Sequence, residues 1–355
     1  MAEDLSLVSV SEGSGKTGLA LALGCIAKDK GKEVGYLKPL GRRLRSRAGE
    51  LIDEDSLFAK KTLGLEESVR EISPIMYSQT FIEQYIRGME NVDDLKGKVK
   101  DSYDKMSQDK DLMLLEGGGK IDTGGILNLT DFDVVNMFDS EVIMVSNYDS
   151  PENLDSIVYA ADKLEENLKG VVFNGINEVS LDKVESEATS FLESRDIPVL
   201  GVVPWKKELA GIRVDELTAE LGAEEITNLS GKDKFVERFL VGAMSGESAL
   251  RYLRRAKDVA MVTGGDRPDI QRAALESPGV NCLVLTGGFR PPGAIIGKAE
   301  EKGIPIISVQ SDTLNTVEKA DQIVSKGRTR RKESVEVLKD LVLNNLDLDC
   351  IFPNL

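Results

Sequence analysis

The sequence predicts an α/β chain: a parallel sheet with helices on both faces, followed by a smaller α/β unit. Three observations carry this. Apolar, β-branched-rich runs alternate with helix-length amphipathic stretches through residues 1–205. A Gly-rich turn joins the first run to the first helix. Beyond a break at Pro204–Ile212 the strand/helix alternation resumes. Continuous apolar strands alternating with helices belong to parallel sheets covered on both sides.

In chain order, the first-unit strands are read at Leu5–Val10, Val34–Lys38, Asp111–Leu115, Val142–Ser146, Val171–Asn174 and Val199–Val203. Helical patterns lie at Gly18–Lys30, Leu154–Leu168 and Leu181–Ser194. After the break come a helix at Val214–Leu221, a polar stretch at Asn228–Lys234, and strands at Val259–Thr263, Cys282–Thr286 and Ile304–Val309. The expected division is 1–208, 211–331 and a tail, 332–355, whose end is assigned no role beyond docking or fraying.

Composition narrows the chemistry. The 355 residues carry a net charge of −16, which argues against a nucleic-acid partner. Local basic clusters, Arg42–Arg47 and Arg328–Lys332, read as solvated segments or anion-facing loops. Apolar runs fall short of the roughly 20 residues of a membrane span, and the first leads straight into the Gly-rich turn without a signal peptide, so a cytoplasmic, non-membrane protein is expected. Cys25, Cys282 and Cys350 are scattered without disulfide or zinc spacing, and the first two are expected to be buried. The chain has no histidine, which excludes Ser-His and Cys-His nucleophiles and His-bound metals. Carboxylates, Lys, hydroxyls and Mg²⁺ remain.

The central motif is Ser11-Glu12-Gly13-Ser14-Gly15-Lys16-Thr17, followed by Gly18. Between a strand and a helix, such a loop turns backbone N–H groups around an anion, and the helix N-terminus adds its own donors. Lys16 can reach the β- and γ-phosphates of a nucleotide, and the Thr17 hydroxyl can sit on Mg²⁺. Val10 stands where the usual pattern has its first glycine.

Ligands of parallel sheets bind at the strands' carboxyl ends, so the residues after each strand matter most. Lys38, before Pro39, points a cation into that crevice, although a solvated surface lysine fits the same pattern. Asp53-Glu54-Asp55 precedes a helix, where Asp55 suits either Mg²⁺ or the helix N-cap. Glu116, followed by Gly117-Gly118-Gly119, suits a carboxylate aimed at Mg²⁺ beside a closely approached backbone. Asn174 has the donors and acceptor to meet adenine's edge, and Pro204-Trp205 can cover a base; an Asn turn and a core-edge Trp are the alternative.

In the second unit, Val262-Thr-Gly-Gly-Asp-Arg-Pro268 is echoed by Leu285-Thr-Gly-Gly-Phe-Arg-Pro291. Gly264, Gly265, Asp266, Arg267, Thr286, Gly287 and Gly288 are candidates for a second, anionic ligand such as a small metabolite. Glycine pairs that merely permit tight turns account for the echo equally well.

Taken together, GSGKT, LKPLG, an Asp before a helix, EGGG and FN…VPW resemble dethiobiotin synthetase and its P-loop NTPase relatives, including the cobyrinic acid diamide synthase group. The resemblance implies ATP, with Lys16 and Lys38 on phosphate, Mg²⁺ held by Thr17, Asp55 and Glu116, and adenine near Asn174 and Pro204. Residues from Gly211 to about Arg331 resemble the DRTGG domain through Val241-Gly-Ala-Met244, Gly264-Gly-Asp-Arg267 and Leu285-Thr-Gly-Gly288. The two in this order resemble the N-terminal, regulatory part of long phosphotransacetylases, which implies a homo-oligomer. The chain ends near where their catalytic domain would begin, so acetyl transfer is not carried over. Ser11 stands where dimer-activated relatives have a signature lysine, and the Arg-rich loop departs from the dethiobiotin-forming pattern. The sequence is thus consistent with a nucleotide- and metabolite-responsive regulator, an ATP-dependent ligase forming an acyl or carbamoyl phosphate, or a scaffold with a vestigial loop.

Overall fold

The computed structural model describes residues 2–47, 49–227, 231–327 and 332–353. The chain forms two compact units, 1–205 with 335–355, and 206–334.

The first unit is built on β1 (Glu3–Val8), β2 (Val34–Leu37), β3 (Leu112–Glu116), β4 (Glu141–Ser146), β5 (Leu168–Ile176) and β6 (Val199–Pro204). They pair in parallel in the order β6-β5-β4-β1-β3-β2. From β1 the chain runs one way to β2, fills the gap with β3, then crosses to β4 on the other side. The direction reverses around β1, which places the ligand crevice at its carboxyl end.

Alternation along the strands assigns the faces. Leu5 pairs with Leu114, and Ser6 with Leu115. Helix α1 (Lys16–Asp29) packs on the Leu114 face; a Cβ on its Gly24 would lie 3.0 Å from Leu114 and 2.9 Å from Leu63 of α2 (Glu54–Leu63). Helix α3 (Val92–Met106) precedes β3. The opposite face, with Val8, Met144 and Phe173, is covered by α4 (Asp131–Phe138) and α5 (Asn153–Leu164).

Some boundaries differ from expectation. The helix expected over Leu154–Leu168 stops at Leu164, because Glu165 turns to φ 47° and Leu168 already begins β5. Cys25 is half-buried rather than buried, while Cys282 is buried and its thiol is pushed up to about 12 by desolvation.

The second unit holds α6 (Val214–Leu221), β7 (Glu224–Glu225), β8 (Arg238–Val241), α7 (Gly246–Leu253), β9 (Val259–Gly264), α8 (Pro268–Leu275), β10 (Val280–Thr286), α9 (Gly293–Lys302), β11 (Ile306–Ser308) and α10 (Thr313–Gly327). Its sheet runs β7-β11-β10-β9-β8, parallel except for β7. Met261, Leu283 and Leu285 face α7, α8 and α9, whereas Val262, Cys282 and Val284 face α6 and α10.

Helix α11 (Lys332–Asn345) follows, and from Val335 the chain belongs to the first unit. Val335, Leu338, Leu341, Val342 and Leu346 recur at helical spacing and are buried. Lys339 pairs with Asp29 at the end of α1. Leu346 bridges Gly201 of β6, and Asp347 N–H donates to Leu200 O at 2.8 Å. The segment therefore covers an edge strand that would otherwise expose unpaired backbone. Gly201 has φ 147°, and a Cβ there would lie 2.0 Å from Asn345 O. The basic cluster 328–331 lies outside the described residues.

Candidate functional site

The site forms where β1, β2 and β3 end beneath the start of α1. Gly15 precedes α1 at φ 90°, and no side chain caps the helix, so its first N–H groups stay open to an anion. The loop is braced from within. Ser9 Oγ donates to Ser11 O at 2.6 Å and accepts from Ser11 N–H. Ser11 Oγ donates to Asn147 Oδ1 at 2.6 Å. Ser14 Oγ is buried without a hydrogen-bond partner among the described residues, which is uncommon for a hydroxyl in a folded protein.

Strand alternation brings the polar residues together. Tyr36 lies opposite Leu114, so Lys38 and Glu116, two positions on in each chain, emerge on α1's face. Thr17 Oγ1 donates to Glu116 Oε1 at 2.7 Å, and Tyr36 OH donates to Glu116 Oε2 at 2.5 Å. Lys38 Nζ lies 2.7 Å from Asp55 Oδ2, 3.0 Å from Glu116 Oε1 and 3.8 Å from Asp53 Oδ1. Lys38 is thus a buried cation among three carboxylates, not a solvated lysine. Burial works against its charge, but Glu116, Asp55 and Asp53 hold its pKa above the ordinary lysine value. Burial likewise raises the phenol of Tyr36, with Glu116 adding to the rise.

The N-cap role considered for Asp55 falls to Asp53 instead. Asp53 is the N-cap of α2, accepting from Ser56 N–H at 2.8 Å and Ser56 Oγ at 2.9 Å, and from Arg43 N–H at 3.0 Å. Asp55 lies inside the first turn and faces Lys38.

Lys16 is buried, and Nζ donates to Gly119 O. Desolvation lowers its pKa, opposed by Asp131 and Glu116. Asp131 is the residue that sequence reasoning missed. It opens α4, is 4 % exposed, and accepts a hydrogen bond from the Gly118 backbone, while Oδ2 has no partner among the described residues. Burial pushes its carboxyl up to about 7, against the pull of Lys16. The available signal was Thr130-Asp-Phe-Asp133, a capping box that fixes where α4 begins. The triple glycine makes room for these contacts: Cβ atoms at Gly117, Gly118 and Gly119 would collide with Asp131, Leu40 and Arg42.

Asn174 also reaches the loop. Its Nδ2 donates to Ser14 O at 2.8 Å, and a Cβ on Gly15 would lie 2.1 Å from that nitrogen. The Asn174 amide therefore anchors the phosphate loop. Pro204 ends β6 opposite Ile176, with Trp205 half-exposed beyond it.

The second unit brings its two Thr-Gly-Gly turns side by side, Gly264 opposite Thr286. Their donors are engaged. Gly265 N–H donates to Thr286 O, Gly287 N–H to Ser311 O and Gly288 N–H to Val309 O. Arg267 pairs with Asp269 at 3.0 Å and donates to Met244 O at 2.7 Å. Thr286 Oγ1 lies 2.8 Å from Thr313 Oγ1, and Asp266 is exposed.

Comparison with known proteins finds relatives over both parts of the chain. Phosphate acetyltransferase of Haemophilus influenzae is 23% identical over 385 aligned positions, covering 99% of this chain and 52% of the relative. This chain thus spans about half the length of the curated relatives it matches over most of its own length. The ATP-dependent dethiobiotin synthetase of Methanococcus vannielii is 27% identical over 203 positions, 55% of this chain and 90% of that one. Among solved structures, the CBS and DRTGG domains of the regulatory region of Clostridium perfringens pyrophosphatase, complexed with the activator diadenosine tetraphosphate, align over 44% of this chain and 80% of that one, at 18% identity and a TM-score of 0.30. The DRTGG domain pattern matches residues 216–323. The AAA domain pattern matches residues 3–213, more than half of the sequence, and the chain belongs to the AAA domain family.

Proposed function

We propose that the first unit binds ATP with Mg²⁺, and that the chain is a cytoplasmic nucleotide- and metabolite-responsive regulatory protein, assembled as a homo-oligomer through its DRTGG domain. One observation carries the nucleotide reading: an uncapped helix N-terminus, Lys16, Lys38, Thr17, Asp55 and Glu116 converge on one edge of the sheet. Gly13 to Gly18 would hold the phosphates, with Lys16 and Lys38 neutralising their charge, and Asn174 and Pro204 would lie towards the base. The orphaned Ser14 hydroxyl supports an anion in the loop.

The donor set fits Mg²⁺. Thr17, Asp55 and Glu116 offer the hard oxygens this cation takes. Mg²⁺ commonly takes one or two carboxylates from the protein and fills its remaining positions from phosphate and water. When bound, it would offset the charge on the phosphate oxygens.

Calorimetric titration of ATP and ADP with Mg²⁺ into the wild type and Lys16→Ala tests this reading. Micromolar binding that Lys16→Ala abolishes is expected; no binding to the wild type refutes it. A shift of the ATP isotherm by a panel of phosphorylated and carboxylic metabolites would reveal coupling to the second unit, and an unchanged isotherm would remove the regulatory role. The candidate second ligand, at Gly264–Arg267 and Thr286–Gly288, would be anionic.

A second reading, an ATP-dependent ligase, is favoured by Lys38. A lysine buried among carboxylates beside the phosphate loop is placed to stabilise phosphoryl transfer to a carboxylate or carbamate. A screen for carboxylate-stimulated ADP release distinguishes the two, since a regulator shows none.

A further inference from the structure

The Arg-rich segment after Lys38, in which Leu44–Arg47 form a strand paired with Glu50–Asp53, contributes a residue, Arg42, that the site described so far does not use. Arg42 Nη1 lies 2.9 Å from Glu12 Oε1, and Glu12 belongs to the phosphate loop itself. The same Nη1 lies beside Gly119, where a Cβ would come within 2.2 Å of it. Gly119 O is also the acceptor for Lys16 Nζ. Arg42 and the phosphate-loop lysine therefore both lie against Gly119 of the Gly117–Gly119 turn. Glu12 sits in the field of Arg42, Lys120 and Lys16, and this company holds its carboxyl below the ordinary glutamate value. A carboxylate of the Gly-rich loop itself is thus ion-paired to Arg42.

We propose that Arg42 is a γ-phosphate sensor, held by Glu12 at rest and transferred to the γ-phosphate when a nucleoside triphosphate fills the loop. The inference rests on the nucleotide reading above. Exchange is inexpensive, because both side chains are solvent-accessible, 36 % for Arg42 and 62 % for Glu12, and an ion pair so exposed contributes little. The γ-phosphate offers more charge and a two-pronged match to the guanidinium. A diphosphate ends one group short and leaves Arg42 with Glu12. The third glycine is what admits the guanidinium beside Lys16, and a side chain at Gly119 would displace it.

The test is titration of Mg²⁺ with ADP or with the β,γ-imido analogue of ATP into the full chain, as wild type, Arg42→Gln, Arg42→Lys and Glu12→Gln. Arg42→Gln is expected to weaken the triphosphate about tenfold or more, the usual range for a lost charge-assisted hydrogen bond, and to leave ADP within about twofold. Arg42→Lys should recover part of the loss, since it keeps the charge without the fork. Glu12→Gln should tighten the triphosphate by removing its competitor. Equal changes for both nucleotides in Arg42→Gln, no change for either, or a weaker triphosphate in Glu12→Gln would each overturn the proposal while leaving the nucleotide site intact. A wild type that binds neither nucleotide refutes the nucleotide reading, and this proposal with it.

Discussion

Gly201→Ala is expected to detach the C-terminal segment from β6. Asn345 O lies 2.0 Å from where the new Cβ would stand, and Leu346 Cδ2 lies 2.7 Å away. Contacts this close do not occur between real atoms, and Asn345 O is backbone, so it cannot swing aside as a side chain would. Alanine is also strained at φ 147°. Relief requires the chain at 345–347 to move off the strand. The move breaks the bond from Asp347 N–H to Leu200 O, about 1 kcal/mol, and re-exposes Leu346, about 2 kcal/mol. A loss of about 3 kcal/mol follows from these terms. Urea denaturation followed by intrinsic fluorescence would show it as a lower midpoint with little change in slope. Amide exchange would show faster exchange at Asp347 than at β4 or β5. A variant within about 0.5 kcal/mol of wild type, with Asp347 still protected, would refute the account of how β6 is covered.

Four further outcomes follow from the site and the core. Lys38→Met leaves Asp53, Asp55 and Glu116 without their shared cation and should cost about 3–5 kcal/mol; urea melts at pH 7 check it, and a variant within about 0.5 kcal/mol of wild type would refute it. Asp131→Asn tests the raised carboxyl: the native state holds a proton up to about pH 7 that the unfolded chain releases near its ordinary value of about 4, so this contribution to wild-type stability is complete below about pH 4 and is lost as pH rises to about 7. The Asn variant lacks that loss, and its stability relative to wild type should climb by up to about 4 kcal/mol between pH 4 and pH 8; parallel pH profiles would refute it. Asn174→Ala should cost about 1 kcal/mol of stability but weaken nucleotide binding through the loosened Ser14–Gly15 backbone, as calorimetry beside a melt would show. Cys350, which is exposed, should react with Ellman's reagent in the native protein at pH 8, whereas Cys282 should react only after unfolding.

Much of this site is legible in the sequence because it is local. The Gly-rich loop, Lys38 before Pro39, and Glu116 before three glycines each sit at the end of an apolar strand, and alternation dictates where they point. The main-sheet strands were read for the same reason, their burial on both faces leaving continuous apolar runs. What escaped depends on long-range partners. Asp131 becomes part of the site only because α4 starts beneath Gly117 and Gly118. Asp53 rather than Asp55 caps α2, a distinction of two residues that a run of acidic residues conceals. The pairing of Arg42 with Glu12 spans two loops. Strand β7 has only two exposed glutamates, and its place is fixed by pairing with β11.

The return of the chain from the second unit to β6 has a mechanical consequence. Residues 206–334 are an insertion within the first unit, whose earliest strand and last helical turn, Leu348–Ile351, belong to the same fold. Tension applied between those two ends loads the first unit alone. The inserted unit is shielded until the Leu346–Gly201 bridge and α11 give way, after which the force passes through it. Extension in a single-molecule pulling experiment should therefore be ordered, the phosphate-loop unit yielding first and the inserted unit second, whatever their separate stabilities.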